Sequence, residues 1–233
     1  MYKIRRRVLL PRLKSLCINL NTPEVLDIGC GTGFYIDMWR ELGVKRVSGI
    51  DITEVAIENL KKKYHTEDFY QLDIGDEGIS QFLQQKYDII SAFDVLYHIV
   101  DDKRYLKAIR NINSLLKTNG IFIFSENFVR GNTIEGIHQV SRPLDMIEKI
   151  LIQNGFEIQE KFPVFILMNT PINSADPIIK LIWRLITFTI RYSEKAGLVV
   201  GGILYPLELL LLLLLKEGPS TETMICRKTS SIE

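Results

Sequence analysis

The stretch "VLDIGCGTGFYIDMW" at residues 25–39 decides the fold of this 233-residue chain. Its apolar start is typical of a buried strand, and after Gly29, Gly31 and Gly33 it continues with the apolar spacing of a helix. Glycines at alternate positions let the backbone turn tightly and let a ligand approach it closely. Asp27 lies two residues before the first glycine and would repel a pyrophosphate. The stretch therefore predicts a ligand-binding turn suited to an amino group rather than an anion.

Short apolar runs alternate with amphipathic stretches on both sides of this turn. Strands are predicted at Glu24–Ile28, 46–50, 68–72, Tyr87–Phe93, 120–125, 156–168 and 221–228, and helices at 33–42, 53–64, 76–85, 101–117 and from Ser141 and Pro143 to about 154. Such alternation implies parallel strands covered by helices on both faces. The sequence thus predicts an α/β doubly wound, mainly parallel seven-stranded sheet, with an apolar helical insertion between the last two strands.

Composition limits the classes of function. A net charge of +1 argues against a nucleic-acid partner held by a global positive field. Three cysteines at wide spacings predict neither a disulfide framework nor a metal cluster, and they favour a reduced, cytoplasmic compartment. The basic start lacks the apolar core of a signal peptide. The predicted organisation is a basic segment at 1–22, a main domain at 23–169 and 220–230, and an insertion at 170–219.

The motif "D-x-G-C-G-T-G" at 27–33 resembles the first motif of class I S-adenosylmethionine-dependent methyltransferases. The spacing differs from the G-x-G-x-x-G of dinucleotide-binding proteins, because Phe34 stands where the third glycine would be. The resemblance implies an S-adenosylmethionine cofactor. It also implies that the methionine end is held by the acid and the turn, namely Asp27, Gly29, Cys30, Gly31 and Gly33.

Three further motifs resemble the same family in the expected order. "SGIDIT" at 48–53 implies that Asp51 accepts both ribose hydroxyls and that Ile52 lies against the adenine. "YQLDIGD" at 70–76 implies that Asp73 accepts from the adenine amino group and that the Ile74 backbone meets the ring edge. "YDIISAFDVLYHI" at 87–99 implies that Asp94 lines the cofactor.

Catalysis of methyl transfer is mostly positioning, but a hydroxyl acceptor must also lose its proton. His98 stands where many small-molecule members of the family carry a histidine, so it is a candidate base; the alternative is that it packs under the cofactor and caps the helix that starts near Asp101. Glu126, at the end of the fifth strand, either orients an acceptor or is a solvated strand end. His138 and Arg142 are substrate candidates in the following loop, with solvent exposure as their alternative.

The turn after the fourth strand narrows the acceptor. "FDVLYHI" does not resemble the Asn/Asp-Pro-Pro-aromatic turn of methyltransferases that act on amino groups of DNA bases. An oxygen atom of a small, lipid-like or saccharide acceptor is favoured, and no metal site is expected. The alternatives are a non-catalytic, cofactor-binding or membrane-associated partner protein and, less favoured, a nicotinamide oxidoreductase.

The apolar insertion allows three interpretations. A helix over 178–195 places its basic residues in one stripe, typical of a membrane interface: Lys180, Arg184, Arg191 and Lys195. Residues 198–215 approach the length of a bilayer span, but Pro206 and Glu208 would be costly in its middle. The insertion is a lid over the acceptor site, a peripheral contact with the inner membrane face through 178–215, or a homodimer interface.

Overall fold

A computed structural model describes residues 1–18, 20, 22–174 and 176–229 of the chain. The strands are β1 (Glu24–Ile28), β2 (Arg46–Asp51), β3 (Phe69–Gln71), β4 (Tyr87–Phe93), β5 (Leu116–Glu126), β6 (Ile134–Glu135), β7 (Val140–Ser141), β8 (Phe156–Pro163) and β9 (Glu222–Lys228). The helices are α1 (Tyr2–Ile18), α2 (Phe34–Glu41), α3 (Glu54–Lys63), α4 (Ile79–Phe82), α5 (Asp102–Leu115), α6 (Leu144–Gln153), α7 (Pro177–Tyr192) and α8 (Glu194–Leu214), with a 3-10 turn at Leu96–His98.

Seven of these strands form one sheet in the order β3-β2-β1-β4-β5-β9-β8. The pairs from β3 to β5 are parallel, whereas β9 pairs antiparallel with both β5 and β8. The predicted fold class is confirmed, including the two helices that lie between β8 and β9. The strand order reverses between β1 and β4, and ligands of open α/β sheets bind at the carboxyl ends of strands beside such a reversal.

The N-terminal helix α1 is part of the core and not a solvated basic helix. Its Ile4, Leu9 and Leu13 are buried and belong to the same apolar cluster as Trp39 of α2. Burying an aliphatic side chain stabilises a fold by about 1.5–3 kcal/mol. Helix α1 is therefore fixed against the sheet, and the basic residues lie on its remaining faces.

Two predicted elements are shorter than expected by five residues or more. The helix expected over 76–85 is reduced to α4, because Gly78 precedes it with a φ of 76°, outside the helical region. The strand expected over 156–168 ends at Pro163, although the Val164 amide still donates to the Thr221 carbonyl directly before β9. The amides of Ile166 and Leu167 donate to the carboxylate of Glu208 in α8, at 2.7 Å each. A side chain of the insertion thus replaces the sheet partner.

Candidate functional site

Two adjoining clefts lie at the carboxyl ends of β1, β2 and β4. The first, of about 400 Å³, is lined by Ile28, Gly29, Asp51, Ile52, Thr53, Leu72, Asp73, Ile74, Asp94, Val95, His98, Ile99, Val100, Asp101 and Arg104. The second, of about 350 Å³, is lined by Met1, Tyr2, Arg5, Gly29, Cys30, Gly31, Thr32, Phe34, Tyr35 and Asp94. Gly29 and Asp94 belong to both linings, so the clefts meet at the glycine turn.

Asp27 precedes the glycine turn; it is a member of neither lining and has 1% of its surface exposed. Its Oδ1 accepts a 2.6 Å hydrogen bond from Ser91 of β4, whereas its Oδ2 is buried without a partner among the described residues. Burial raises the pKa of Asp27 to about 7, and nearby Asp51 adds to the rise while the Ser91 hydroxyl opposes it. An unbonded buried carboxylate oxygen is costly and favours a cationic partner.

The glycines of the turn serve two different purposes, one in the backbone and one in the space left for a ligand. Gly29 has a φ of 66°, and a Cβ there would collide with Val95, so the backbone itself requires glycine. Gly31 has a φ of 48°, but a Cβ there would come no closer than 3.8 Å to another atom. The space beside Gly31 is therefore open to a ligand.

Asp51 anchors this turn from the end of β2. Its Oδ2 accepts from the Gly31 amide at 3.0 Å, and its Oδ1 accepts from the Thr53 amide at 2.9 Å and the Thr53 hydroxyl at 2.7 Å. Each carboxylate oxygen can accept two hydrogen bonds. Asp51 therefore keeps capacity for a ligand hydroxyl while it holds the turn in place.

The far wall of the first cleft carries Asp73 after β3. Its Oδ1 accepts from the Gly75 amide at 2.7 Å, and its Oδ2 accepts from Arg104 at 2.8 Å. Arg104 also bonds Asp76 at 3.0 Å, so a three-residue ion network borders the cleft. Ile52 and Ile74 supply apolar surface in the same lining.

Helix α1 closes the second cleft, which the sequence did not predict. Arg5 donates to the Tyr35 hydroxyl at 2.8 Å and pairs with the carboxylate of Asp94 at 2.5 Å. Asp94 has an unusual φ of 59°, and its amide and Oδ1 are both bonded to Ser125 of β5. The Arg5–Asp94 pair thus fastens the N-terminal helix to the turn after β4. In a run of three adjacent arginines, nothing in the sequence distinguishes Arg5 for this role.

His98 lines the first cleft at the end of the 3-10 turn. Its Nδ1 lies 2.9 Å from the backbone oxygen of His138. A carbonyl only accepts, so Nδ1 carries the proton and the neutral ring keeps its lone pair on Nε2. His138 therefore orients His98 through its main chain, while its own side chain lies in an exposed loop outside both linings.

Glu126, like Asp27, is a member of neither lining, and its burial excludes the solvated strand end that the sequence allowed. It is completely buried, because pairing with β9 continues to Glu126 opposite Glu222 and the next residues, 127–129, are buried as well. Burial raises the pKa of Glu126 to about 8, with Arg142 opposing the shift and Asp94 adding to it. The side chain is therefore mainly a neutral acid at neutral pH.

Arg142 is buried as well, so neither binding a substrate anion at the surface nor facing water fits its position. It donates to Asp102 at 2.9 Å and to the Ile99 carbonyl at 2.8 Å, and its guanidinium lies 4.1 Å above the Tyr105 ring. These contacts tie the chain beside His98 to the start of α5. Arg142 is thus placed to hold the cleft wall rather than a ligand.

The residues present fit the cofactor that the sequence motifs imply. The unbonded Oδ2 of Asp27 suits an ammonium group, the open space at Gly31 suits a closely approaching ligand, and Asp51 and Asp73 lie along one continuous cleft. Among the described residues, no group of three or more His, Cys, Asp or Glu side chains is arranged to hold a metal ion.

Comparisons with known proteins agree with this geometry. Residues 2–160 match the family described as "Methyltransferase domain". The ribosomal protein L11 methyltransferase of Dictyoglomus turgidum is 36% identical over 140 residues, which cover 59% of this chain and 40% of that protein. The ubiquinone biosynthesis O-methyltransferase of Actinobacillus pleuropneumoniae is 31% identical over 109 residues, covering 44% of each. The chain thus matches less than half the length of these relatives.

The fold comparison extends over nearly the whole chain. An S-adenosylmethionine-dependent methyltransferase of Clostridium acetobutylicum superimposes with a TM-score of 0.63 at 15% identity, covering 99% of this chain and 93% of that one. At that identity the likeness concerns the fold. The family match over 2–160 includes the glycine turn, both clefts and helix α1. The chain belongs to the methyltransferase domain family.

Proposed function

We propose that the chain binds S-adenosylmethionine and methylates an oxygen atom of a small, lipid-like or saccharide acceptor. The observation that carries the proposal is the buried, unbonded Oδ2 of Asp27, in the chain segment that leads directly into the glycine turn with open space at Gly31. An acid at this position would repel the pyrophosphate that dinucleotide-binding turns hold. When bound, the cofactor supplies a methyl group activated by a sulfonium centre.

Four residues would hold this cofactor. Asp27 would pair with its amino group, and Asp51 would accept from one of its ribose hydroxyls at the end of β2 through the remaining capacity of Oδ2. Asp73 would accept from the adenine amino group, with Ile52 packed against the ring. Arg5 and Asp94, paired at 2.5 Å, border the cleft where the methionine end would lie. They would limit the entry of water to it.

His98 would act as the base. Its Nδ1–H is held by the His138 carbonyl, so Nε2 is free to accept the proton that a hydroxyl acceptor loses. Such a group typically contributes about 10²–10⁴ to a rate. His98 and Asp94 both line the first cleft, and Asp94 also lines the second, so we expect the ring to lie near the transferred group.

The nature of the acceptor is the finer part of the proposal. The two relatives named above include an O-methyltransferase and a ribosomal protein methyltransferase, so the family tolerates different acceptors. An oxygen acceptor is supported by the histidine in the cleft and by the lack of an Asn/Asp-Pro-Pro-aromatic turn after β4.

Transfer of radiolabelled methyl groups tests the proposal. The chain and its His98→Ala variant are incubated with labelled S-adenosylmethionine and a cell extract, which is then split into lipid, glycan, RNA, protein and small-molecule fractions. Label in the lipid, glycan or small-molecule fraction that depends on His98 supports it. Label in RNA or protein contradicts the proposed acceptor.

A binding measurement accompanies the transfer assay. S-adenosylhomocysteine is expected to raise the melting temperature of the chain, and NADH is not, because Asp27 disfavours a pyrophosphate. Binding of S-adenosylhomocysteine without any label transfer would favour a non-catalytic, cofactor-binding protein. Stabilisation by NADH alone would favour an oxidoreductase and would overturn the proposal.

A further inference from the structure

The hairpin of α7 and α8 exposes an apolar surface that no other described part of the chain covers. We call this surface the outer face and define it by Leu181, Leu185, Leu198, Ile203, Leu210 and Leu213, all exposed, with Leu213 at 84%. Between residues 196 and 215 the only charged side chain is Glu208. An exposed apolar patch of this kind marks a surface that meets a partner.

The one acid of this stretch points inward. Glu208 is completely buried, and its two carboxylate oxygens accept from the amides of Ile166 and Leu167 at 2.7 Å each. The middle of α8 is therefore fastened to the loop after β8, and its opposite side is left with apolar side chains alone.

The same contact argues against a membrane-spanning α8. Residues Lys195–Leu214 are long and apolar enough, by length and composition, to cross a bilayer. Spanning would take the Glu208 carboxylate to mid-bilayer and away from the two amides that it bonds. A charged group there is costly, and the freed amides would add to the cost. These costs favour a hairpin that lies along a surface over one that crosses a bilayer.

Charge beside the outer face indicates what that surface is. Helical spacing places Lys180, Arg184 and Arg191 in one stripe of α7, next to the apolar stripe that contains Leu181 and Leu185. None of these three cations forms an ion pair with a side chain that the structure describes, a set that does not include the side chain of Glu194. By contrast, Arg5 and Arg12 of α1 are both paired.

We propose that the outer face docks on an anionic lipid surface. The apolar side chains enter the boundary between headgroups and acyl chains, and Lys180, Arg184 and Arg191 contact the lipid phosphates. A second copy of the chain fits less well, because Glu208, the one acid between residues 196 and 215, is buried and cannot pair with these cations.

The surface is linked to the candidate site through a short series of contacts. Glu208 holds Ile166, the adjacent Phe165 lies 5.2 Å below the Arg5 guanidinium, and Arg5 pairs with Asp94 of both clefts. Docking would therefore hold the clefts close to the bilayer, where a lipid-borne acceptor is concentrated. The docking itself does not depend on the proposed reaction.

Vesicle flotation of the full-length chain without cofactor tests the inference. Vesicles of equal parts phosphatidylglycerol and phosphatidylcholine are compared with vesicles of phosphatidylcholine alone. The chain is expected to float with the anionic vesicles and to be released by salt, because screening weakens the contribution of exposed cations. No flotation with the anionic vesicles overturns the inference.

Three variants separate the contributions. Leu198→Glu/Leu213→Glu puts charges on the outer face and should abolish flotation. Lys180→Gln/Arg184→Gln leaves the apolar surface intact and should weaken binding more than about tenfold. Ile152→Glu is the matched control, since Ile152 is 63% exposed but lies on α6, and it should bind like the parent chain. Circular dichroism and binding of S-adenosylhomocysteine show that each variant is folded.

Two other occupancies give distinct outcomes, and either one overturns the inference. A stable dimer that the Leu198→Glu/Leu213→Glu variant disperses, without vesicle binding by the parent chain, assigns the outer face to a second copy. Vesicle-bound protein that resists extraction by alkaline carbonate assigns α8 to a membrane span. Release by carbonate supports peripheral docking.

Discussion

The pH dependence of cofactor binding should be set by Asp27. Burial raises the pKa of this carboxyl to about 7 in the free protein, so it is partly protonated near neutral pH. An ammonium group that pairs with Asp27 requires the ionised form. Binding then lowers the pKa of Asp27, and at pH values below the pKa of the free protein it releases a proton from this carboxyl. Affinity should accordingly fall as the pH drops below 7 and reach a plateau above it.

The magnitude follows from the ionised fraction. With a pKa of about 7, this fraction falls from about nine tenths at pH 8 to about one tenth at pH 6. The Kd for the ligand should therefore be about tenfold higher at pH 6 than at pH 8, which is a difference of about 1.4 kcal/mol in binding free energy. Isothermal titration with S-adenosylhomocysteine measures this directly, and this ligand has no sulfonium charge to complicate the comparison.

Variants identify the titrating group. Asp27→Asn should flatten the profile between pH 6 and 8 and weaken binding at pH 8 by about 1.5–3 kcal/mol, the contribution of a hydrogen bond to a charged group. Ser91→Ala removes the bond to Oδ1 that favours the ionised acid, so the midpoint should move to higher pH. His98→Ala should leave the profile unchanged. A tenfold pH effect that persists in Asp27→Asn would refute the reasoning.

Three further predictions concern the remaining walls of the clefts. Asp51→Ala should weaken S-adenosylhomocysteine binding by about 2–3 kcal/mol in a titration, because it removes a charge-assisted bond to a ribose hydroxyl and the bond that holds the Gly31 amide; unchanged affinity would contradict the assignment. His98→Ala should lower kcat by about a hundredfold or more while cofactor affinity stays within twofold or so, and full turnover would reduce His98 to a packing residue. Arg5→Met should weaken cofactor binding and speed hydrogen exchange in α1, since it leaves Asp94 unpaired beside the second cleft; unchanged exchange would show that apolar packing alone holds the helix.

Much of the sheet could be predicted because its signals are local. The strand limits of β1 and β4 agree with the sequence prediction, since both are apolar runs bounded by turn residues or charge. The position of the ligand turn could also be predicted, because a backbone with positive φ favours glycine, and Gly29 and Gly31 are visible in the sequence. Those features depend on neighbours in the chain.

The contacts of helix α1 could not be predicted in this way. Which arginine of the basic run meets Asp94 depends on how α1 crosses the sheet, and that crossing is set by apolar contacts of Ile4 and Leu9 with distant elements. The same holds for Arg142. Its position at a helix start suggested exposure, but the fold brings Asp102 and the Ile99 carbonyl around it.

Charge at the strand ends shows this limit most clearly. Asp27, Asp51 and Glu126 all lie at or near the carboxyl end of a strand, and nothing in the sequence distinguishes how deeply each carboxylate is buried. In the folded chain Asp51 accepts three hydrogen bonds, whereas Asp27 and Glu126 are buried with oxygens left unbonded among the described residues. Burial outweighs the groups that favour ionisation, Ser91 at Asp27 and Arg142 at Glu126, and raises the pKa of each acid toward or above neutrality. The sequence thus identified acids that a cofactor could meet. Whether each acid is protonated depends on how the folded chain packs around it. That packing is the reason why Asp27 responds to a cationic ligand at neutral pH.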